Sequence, residues 1–313
     1  MKAVRCRKGE VYVADVAHPA SEGVRVKVVS SGICGSDLHL LSSGWPIAVT
    51  LGHETAGIAP NGVAVAIEPV GPCGHCEYCQ RGAYNLCVLG ATAIVYGVGR
   101  DGGMAEYITV PERCLVPLPG GLRVEDACLA EPLAVALHGI HLAGITSRDR
   151  VAVVGGGTIG LCAVAALVEI TKTVHLVARH AAQRAAGERL GAHLGAAGSY
   201  DCVIDCAGSS ESLAQSVGLC KAQGTVLLLS TYWSGTQLPA FEIAAKELRI
   251  LAASMYCRHG AVRDIDAAVA LLAQRPRIAP ALITHRLPLD AAGEAFAIAR
   301  DRAAGAIKVT LNP

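Results

Sequence analysis

The sequence predicts an α/β chain in which a β-rich, turn-rich part is joined to a parallel sheet covered by helices on both faces. Three observations carry this. From residue 151 onward, short continuous aliphatic runs alternate with helix-like segments, the pattern of strands buried on both faces. The first third instead holds short apolar runs between Gly, Pro and Ser punctuation, which reads as strands and turns. The chain has 313 residues, and at roughly 150 residues per domain that suggests two domains.

The elements follow in order. Residues 24–30, 64–68 and 105–110 read as strands. Residues 71–90 are Gly, Pro and Cys with little periodicity, a loop long enough to need something that holds it. Residues 125–143 are helical, with one Pro near the start. Strands are expected at 151–154, 174–178, 202–205, 225–229 and 249–253, with helices at 183–190 and 211–220 between them. The last segment gives helices at 262–274 and 289–300 and a final strand at 306–311, without internal repeats.

Composition bounds the function. Lys and Arg total 27 against 26 for Asp and Glu, a net charge of +1, which argues against nucleic acid or anionic membrane as partner. The hydrophobic fraction of 52% excludes disorder. Residues 1–10 are charged, unlike a signal peptide. Residues 151–168 carry no charge, but three glycines interrupt them, so a strand, a turn and a buried helix explain the run better than a membrane span. Thirteen cysteines, an odd number in a large chain, point to reduced thiols, some of them on metal.

Cys73, Cys76, Cys79 and Cys87 form C-x2-C-x2-C-x7-C. Four thiolates close a tetrahedral zinc shell, so a metal here is structural and stabilises a loop that has no core of its own. A second set, Cys34 with Gly52-His53-Glu54, offers the thiol, imidazole and carboxylate of a zinc that keeps one position open. Gly155, Gly157 and Gly160, with Thr158 and Ile159 between the last two, make G-x-G-x-x-G after a strand and before a helix. That is the setting in which such a turn binds a dinucleotide. The acid expected to end the second strand is absent; Ala178, Arg179 and His180 stand there. A carboxylate would bond a ribose 2′-hydroxyl, whereas a small residue followed by Arg leaves room for a 2′-phosphate and supplies a cation. The expected cofactor is therefore NADP rather than NAD, with Arg179 on the 2′-phosphate and His180 beside it.

Five pieces, Gly32-Ile33-Cys34-Gly35-Ser36-Asp37, Gly52-His53-Glu54, the cysteine loop with Asn85-Leu86-Cys87, Glu131-Pro132-Leu133-Ala134 and the glycine turn, run through most of the chain. In them the sequence resembles the zinc-containing medium-chain dehydrogenase/reductase family of alcohol, sorbitol and threonine dehydrogenases. The resemblance implies a GroES-like β-rich catalytic domain from residues 1–134 and 255–313, with a Rossmann doubly wound parallel-sheet domain at 135–254. It implies one catalytic and one structural zinc. Cys34 and His53 would be catalytic ligands, with Glu131 in the third position, where ethanol-type members carry cysteine. Glu54 would sit beside the metal and exchange on and off it. Asp37 would orient His53 through its ring N–H. Ser36 and His39 match the positions that relay a proton to solvent. Lys308 matches a basic residue that reaches the pyrophosphate, and Ser230 follows a strand whose end lines the cofactor cleft, as does the stretch from Asp205 to Gly208.

The implied activity is hydride transfer between a small-molecule alcohol or polyol, or the corresponding carbonyl, and the nicotinamide, in a cytoplasmic homodimer or homotetramer. Two rivals stand beside it: a zinc-independent quinone- or enone-type reductase on the same fold, against which Cys34, His53 and the cysteine loop argue, and a non-catalytic NADP(H)-binding sensor, against which the Ser36–His39 relay argues. The chain departs from the family in being short. Residues 58–64 are clipped, and the stretch 190–200, which holds the third strand and its connections, is abbreviated.

Overall fold

The computed structural model describes residues 1–19, 22–233 and 235–313. The chain divides into two compact units, Met1–Glu131 with Gly260–Pro313, and Pro132–His259.

In the first unit the strand Val24–Gly32 is the organiser. Its alternation of Val and charged residues turns Val26 and Val28 inward, where they meet Val65, Ile67, Ile108 and Val110. From Lys27 to Gly32 it pairs antiparallel with Glu54–Ile58. Tyr107–Val110 joins its first half, and Lys308–Asn312 meets its end, Thr310 opposite Gly32. The sheet runs in the order Ile283–Pro288, Lys308–Asn312, Val24–Gly32, Glu54–Ile58, Ala64–Ile67 and Leu115–Pro117. The clipped residues 58–64 become a tight hairpin, closed by Ala59 N–H on the Val63 carbonyl at 2.9 Å. A second apolar cluster joins both ends of the chain: Val4, Ile33, Leu41 and Leu51 pack with Phe296, Val309 and Leu311.

Several elements of this unit are absent from the sequence reading, among them the helix Gly35–Ser42 and the strands Leu115–Pro117 and Ile283–Pro288. The hairpin Lys2–Arg7 with Glu10–Asp15 is half-exposed and strewn with charge, so it shows no apolar run. Glu54–Ile58 is five residues including a glycine, below the length at which periodicity shows. The expected loop at 71–90 contains only short helical turns, Glu77–Gln80 and Tyr84–Leu86.

The second unit is a six-stranded parallel sheet. Its strands are β1 (Arg150–Val154), β2 (Thr173–Val177), β3 (His193–Leu194), β4 (Tyr200–Asp205), β5 (Cys220–Leu228) and β6 (Arg249–Ala252), in the order β3-β2-β1-β4-β5-β6. The order reverses between β1 and β4, and there the carboxyl ends of the strands open the crevice in which such sheets bind ligands. The abbreviated third strand is present but cut to two residues at the sheet's edge. The uncharged run 151–168 resolves into β1, a glycine turn and the helix Thr158–Leu167, buried from Gly160 onward. Among the described residues no helix is long and apolar enough to cross a membrane.

Helix limits shift where side chains intervene. The helix expected to 220 stops at Leu219. There the Lys246 ammonium takes the carbonyls of Val217, Gly218 and Cys220, the open acceptors of a helix end. In the first unit, Val262–Arg263 is extended and the helix begins at Asp264. The helix expected from 289 opens with a tight turn, Leu289–Ala291, before Ala292–Arg300.

Phe296 is 1% exposed in the cluster that joins the chain ends. Phe296→Ala should cost about 3–5 kcal/mol, as a large buried ring replaced by a cavity does, read as a lowered urea midpoint with an unchanged slope.

Candidate active site

Cys34 stands where the strand Val24–Gly32 turns into the helix Gly35–Ser42; its N–H donates to the Asp37 carboxylate at 2.9 Å. His53 stands one residue before the strand Glu54–Ile58. Because Gly32 pairs with Glu54 across the ladder, the two segments reach the same end of the sheet. Ligand atoms of Cys34, His53 and Glu54 lie within 4.8 Å of one another. His53 Nε2 faces Ser36 Oγ at 3.4 Å, and Nδ1 faces Asp37 Oδ1 at 3.5 Å. That second approach is too long for a good hydrogen bond, and both atoms are buried without a hydrogen-bond partner.

The site is crowded with anionic groups. Asp37, Glu54 and Glu131 are all buried, and so is His53, at 7% exposure. Burial pushes the Asp37 carboxyl up, against the pull of His53. It pushes Glu131 up to about 7, with His53 opposing and Glu54 reinforcing. Burial also disfavours a charged His53, but Asp37 and Cys34, with Glu131 behind them, outweigh it and raise the imidazole well above its ordinary value. Three carboxyls and a thiol around one imidazole leave an excess of negative charge in a dry place. A divalent cation on Cys34 and His53 would relieve it, and a thiol–imidazole–carboxylate set suits zinc. With the metal on Nε2, the Nδ1 proton is left for Asp37, the usual carboxylate behind a ligating histidine. Glu131 is felt by His53 but is not among the three groups within 4.8 Å. His39 is exposed, one turn beyond Ser36 on the same helix.

The four loop cysteines also converge, all within 4.8 Å. Cys73 and Cys79 sulfurs are 3.8 Å apart, Cys76 and Cys79 3.4 Å. A tetrahedron with metal–sulfur bonds of about 2.3 Å has sulfurs about 3.8 Å apart, so the residues fit zinc. Backbone N–H groups of Val88 and Cys79 bring the Cys76 thiol down to about 6, which favours the ligating thiolate. The loop's base is held by buried Glu68, which accepts from Tyr84 at 2.5 Å and from Arg263 at 3.0 Å.

In the second unit Gly155 follows β1 with φ +108, and its N–H bonds the Val177 carbonyl of β2 at 2.9 Å. A Cβ on Gly160 would lie 1.8 Å from the Gly155 carbonyl oxygen, so only glycine lets the helix start this close to the turn. Gly157 precedes the helix, and Thr158 and Ile159 open it, with no acid in the first turn; the N-terminal end of a helix favours an anion. Past β2, Ala178 is half-buried, Arg179 exposed, and His180 caps the helix Ala181–Leu190. Arg184, which the sequence reading missed, donates to the carbonyls of Ala178 and Arg179 at 3.3 and 2.5 Å and places a second cation at the same corner. Its signal was a basic residue one helical turn past His180. Asp205 ends β4 and accepts from the N–H groups of Ala207 and Gly208 and from Ser212 and Tyr232. Ser230, past β5, donates to the Asp205 carbonyl at 3.4 Å.

Comparison with known proteins decides the family. Residues 20–120 match the alcohol dehydrogenase GroES-like domain. L-arabinitol 4-dehydrogenase of Talaromyces emersonii is 32% identical over 96% of this chain and 90% of that one. Galactitol 1-phosphate 5-dehydrogenase of Escherichia coli (strain K12) is 38% identical over 178 residues, 52% of this chain and 49% of that one, so the alignment spans about half of each. The NADP-bound structure of a protein from Sinorhizobium meliloti 1021 superposes with a TM-score of 0.87 at 34% identity, over 100% of this chain and 99% of that one. The chain belongs to the zinc-containing medium-chain dehydrogenase/reductase family.

Lys308 is not where its sequence match placed it. The expectation that it reaches a pyrophosphate is corrected by its surroundings. Lys308 is 1% exposed, and its ammonium donates to the Ile33 carbonyl at 2.9 Å and to the two Glu54 oxygens at 2.7 and 2.5 Å. All three protons are used, so Lys308 neutralises and holds Glu54 instead. Lys308→Met leaves that carboxylate buried without its cation and should cost about 3–5 kcal/mol. Adding Glu54→Gln should recover part of the loss, read by chemical denaturation of the single and double variants.

Proposed function

We propose that the dehydrogenase oxidises a secondary hydroxyl of a polyol, or reduces the matching ketone, using NADP, with Cys34, His53 and a carboxylate, Glu131 or Glu54, holding the catalytic zinc. The observation that carries this is the convergence of Cys34, His53 and Glu54 with Asp37 buried behind the imidazole. When bound, zinc supplies Lewis-acid polarisation of the alcohol or carbonyl oxygen, and the nicotinamide takes or gives the hydride. The residues do the rest. Asp37 keeps the Nδ1 proton of His53 in place, so that Nε2 offers its lone pair. Ser36 Oγ, beside Nε2, accepts the substrate's hydroxyl proton and passes it outward. His39 is the outward station. Burial, with Arg302 adding to it, lowers its pKa and favours the neutral ring that accepts a proton. Lys308 holds the Glu54 carboxylate, which limits how far Glu54 swings toward the metal.

A second zinc in the Cys73–Cys87 loop is structural in this reading. Polyol chemistry is supported by the names of the arabinitol and galactitol phosphate relatives and by a carboxylate at position 131. NADP is supported by Ala178, Arg179 and Arg184 where an acid would bind the ribose hydroxyls of NAD, and by the NADP-bound relative. Gly155, Gly157, Thr158, Ile159 and Gly160 would cradle the pyrophosphate, with Ser230 near the nicotinamide side. Residues up to Glu131 would form the catalytic domain with the C-terminal segment. The thirteen free thiols fit a reducing cytoplasm, and a homodimer or homotetramer follows the family's habit.

Cys34→Ala or His53→Ala should abolish turnover while cofactor binding, read by nicotinamide fluorescence, persists; turnover that survives metal removal would exclude the zinc mechanism. Arg179→Ala should raise the KM for NADP at least ~10-fold, the loss of a phosphate-bound cation, with little change for NAD. A wild-type preference for NAD would sink the assignment.

A further inference from the structure

One cation of the first unit stands beside the candidate zinc site without an acid to pair with. Arg302 follows the helix Ala292–Arg300, whose Phe296 packs in the same cluster as Ile33, Leu38 and Leu41. Two segments far apart in sequence thus share one core and meet at the start of the helix Gly35–Ser42. Apart from chain neighbours and the helix backbone, a Cβ on Gly35 would meet one group within 4 Å, Arg302 Nη2 at 3.9 Å. Gly35 has no positive φ that would call for glycine. Its missing side chain leaves a small shelf between Cys34 and Ser36, with a guanidinium at its side. His39, four positions on and so on the same face, feels the same cation. The neighbouring Asp301 carboxylate is bonded to the Ala304 N–H at 3.0 Å. Arg302 itself is exposed, and among the described residues no carboxylate pairs with it.

We infer, on the basis of the polyol reading above, that Arg302 is a specificity residue that binds an anionic group, a phosphate or a carboxylate, on the polyol substrate. A neutral polyol offers only hydroxyls, which an exposed guanidinium bonds little better than water does. A phosphate or carboxylate matches the planar fork and takes two charge-assisted hydrogen bonds at once. The shelf lies between the residue that would hold the metal and the hydroxyl that would take the proton. A side chain at position 35 would stand in the way of a substrate reaching from there to the guanidinium; glycine leaves the way clear. Anchored on Arg302, the anion would fix which carbon of the chain meets the metal, and so which hydroxyl is oxidised.

The experiment uses the full-length zinc-loaded protein with both cofactors and three probes: a hexitol, its 1-phosphate and the corresponding hexonate. Wild type should favour one of the two anions over the neutral hexitol in kcat/KM, and which one it favours separates phosphate from carboxylate. In Arg302→Gln that ratio should fall about 10–100-fold, chiefly through KM, the loss of a charge-assisted pair; Arg302→Lys should keep part of it. The ratio is taken within each protein, so an effect of Arg302 on His39 that all substrates share cancels. Arg302 is exposed, and its replacement leaves the core untouched. Titrated by calorimetry without turnover, the favoured anion should bind at least ~10-fold more weakly to Arg302→Gln. An unchanged ratio and unchanged binding in Arg302→Gln overturn the assignment, as does a wild type that favours the neutral hexitol. An anion that binds through Arg302, with none of the three probes oxidised, would sink the dehydrogenase reading and leave the anion site standing.

Discussion

The ion pair between Glu54 and Lys308 is the constraint around which the first unit is arranged. Both side chains are 1% exposed, and burying two charges is tolerable only when each is closely paired and its remaining hydrogen-bonding capacity is used. Here the lysine's third proton goes to Ile33, one residue before Cys34. The pair thus joins three pieces of chain: the strand that follows His53, the turn that carries Cys34, and the last strand of the protein. Lys308–Asn312 meets the end of Val24–Gly32, which in turn lies beside Glu54–Ile58. Moving any of them would leave a buried charge exposed to a low-dielectric interior. Cys34 and His53 are held together by this packing.

Around that frame the site accumulates negative charge that the protein alone does not balance. Asp37, Glu54, Glu131 and Cys34 surround one imidazole and one ammonium. The raised pKa of Glu131 and of His53 are two faces of the same imbalance: one carboxyl is pushed toward neutrality and the imidazole toward charge. A bound dication would resolve both, which ties the electrostatics of the site to its chemistry. The cysteine loop works by a different balance. It contributes little to a core, and its sulfurs already lie near tetrahedral spacing, so its order depends on Glu68, Tyr84 and Arg263 at its base and on the ion its thiols would hold.

Much of the second unit was legible because its signals are local. Continuous aliphatic runs mark strands buried on both faces, and β1, β2, β4, β5 and β6 each fall within a few residues of the run that announced them. The glycine turn was readable for the same reason, since Gly160 must be glycine to clear the Gly155 carbonyl. What escaped was short or depended on distant partners. The two-residue β3 has no periodicity, and the charged opening hairpin buries too little to show one. Arg184 is recognisable as a site residue only once its contacts with the carbonyls of Ala178 and Arg179 are seen.

Sequence alone determined the ligand chemistry and its local spacing: four cysteines in one loop, a thiol and an imidazole in two short motifs, a glycine turn between strand and helix, and an arginine where an acid would favour NAD. These are properties of neighbouring residues, set by backbone geometry and by which atoms can coordinate or donate. Only the tertiary structure decided what became of Lys308. Its match pointed to a phosphate, but residues 54 and 308 are brought together by strand order, and a buried carboxylate claims the nearest buried cation. Whether a charge meets solvent, a ligand or another charge depends on packing across the whole chain, and no local pattern records that.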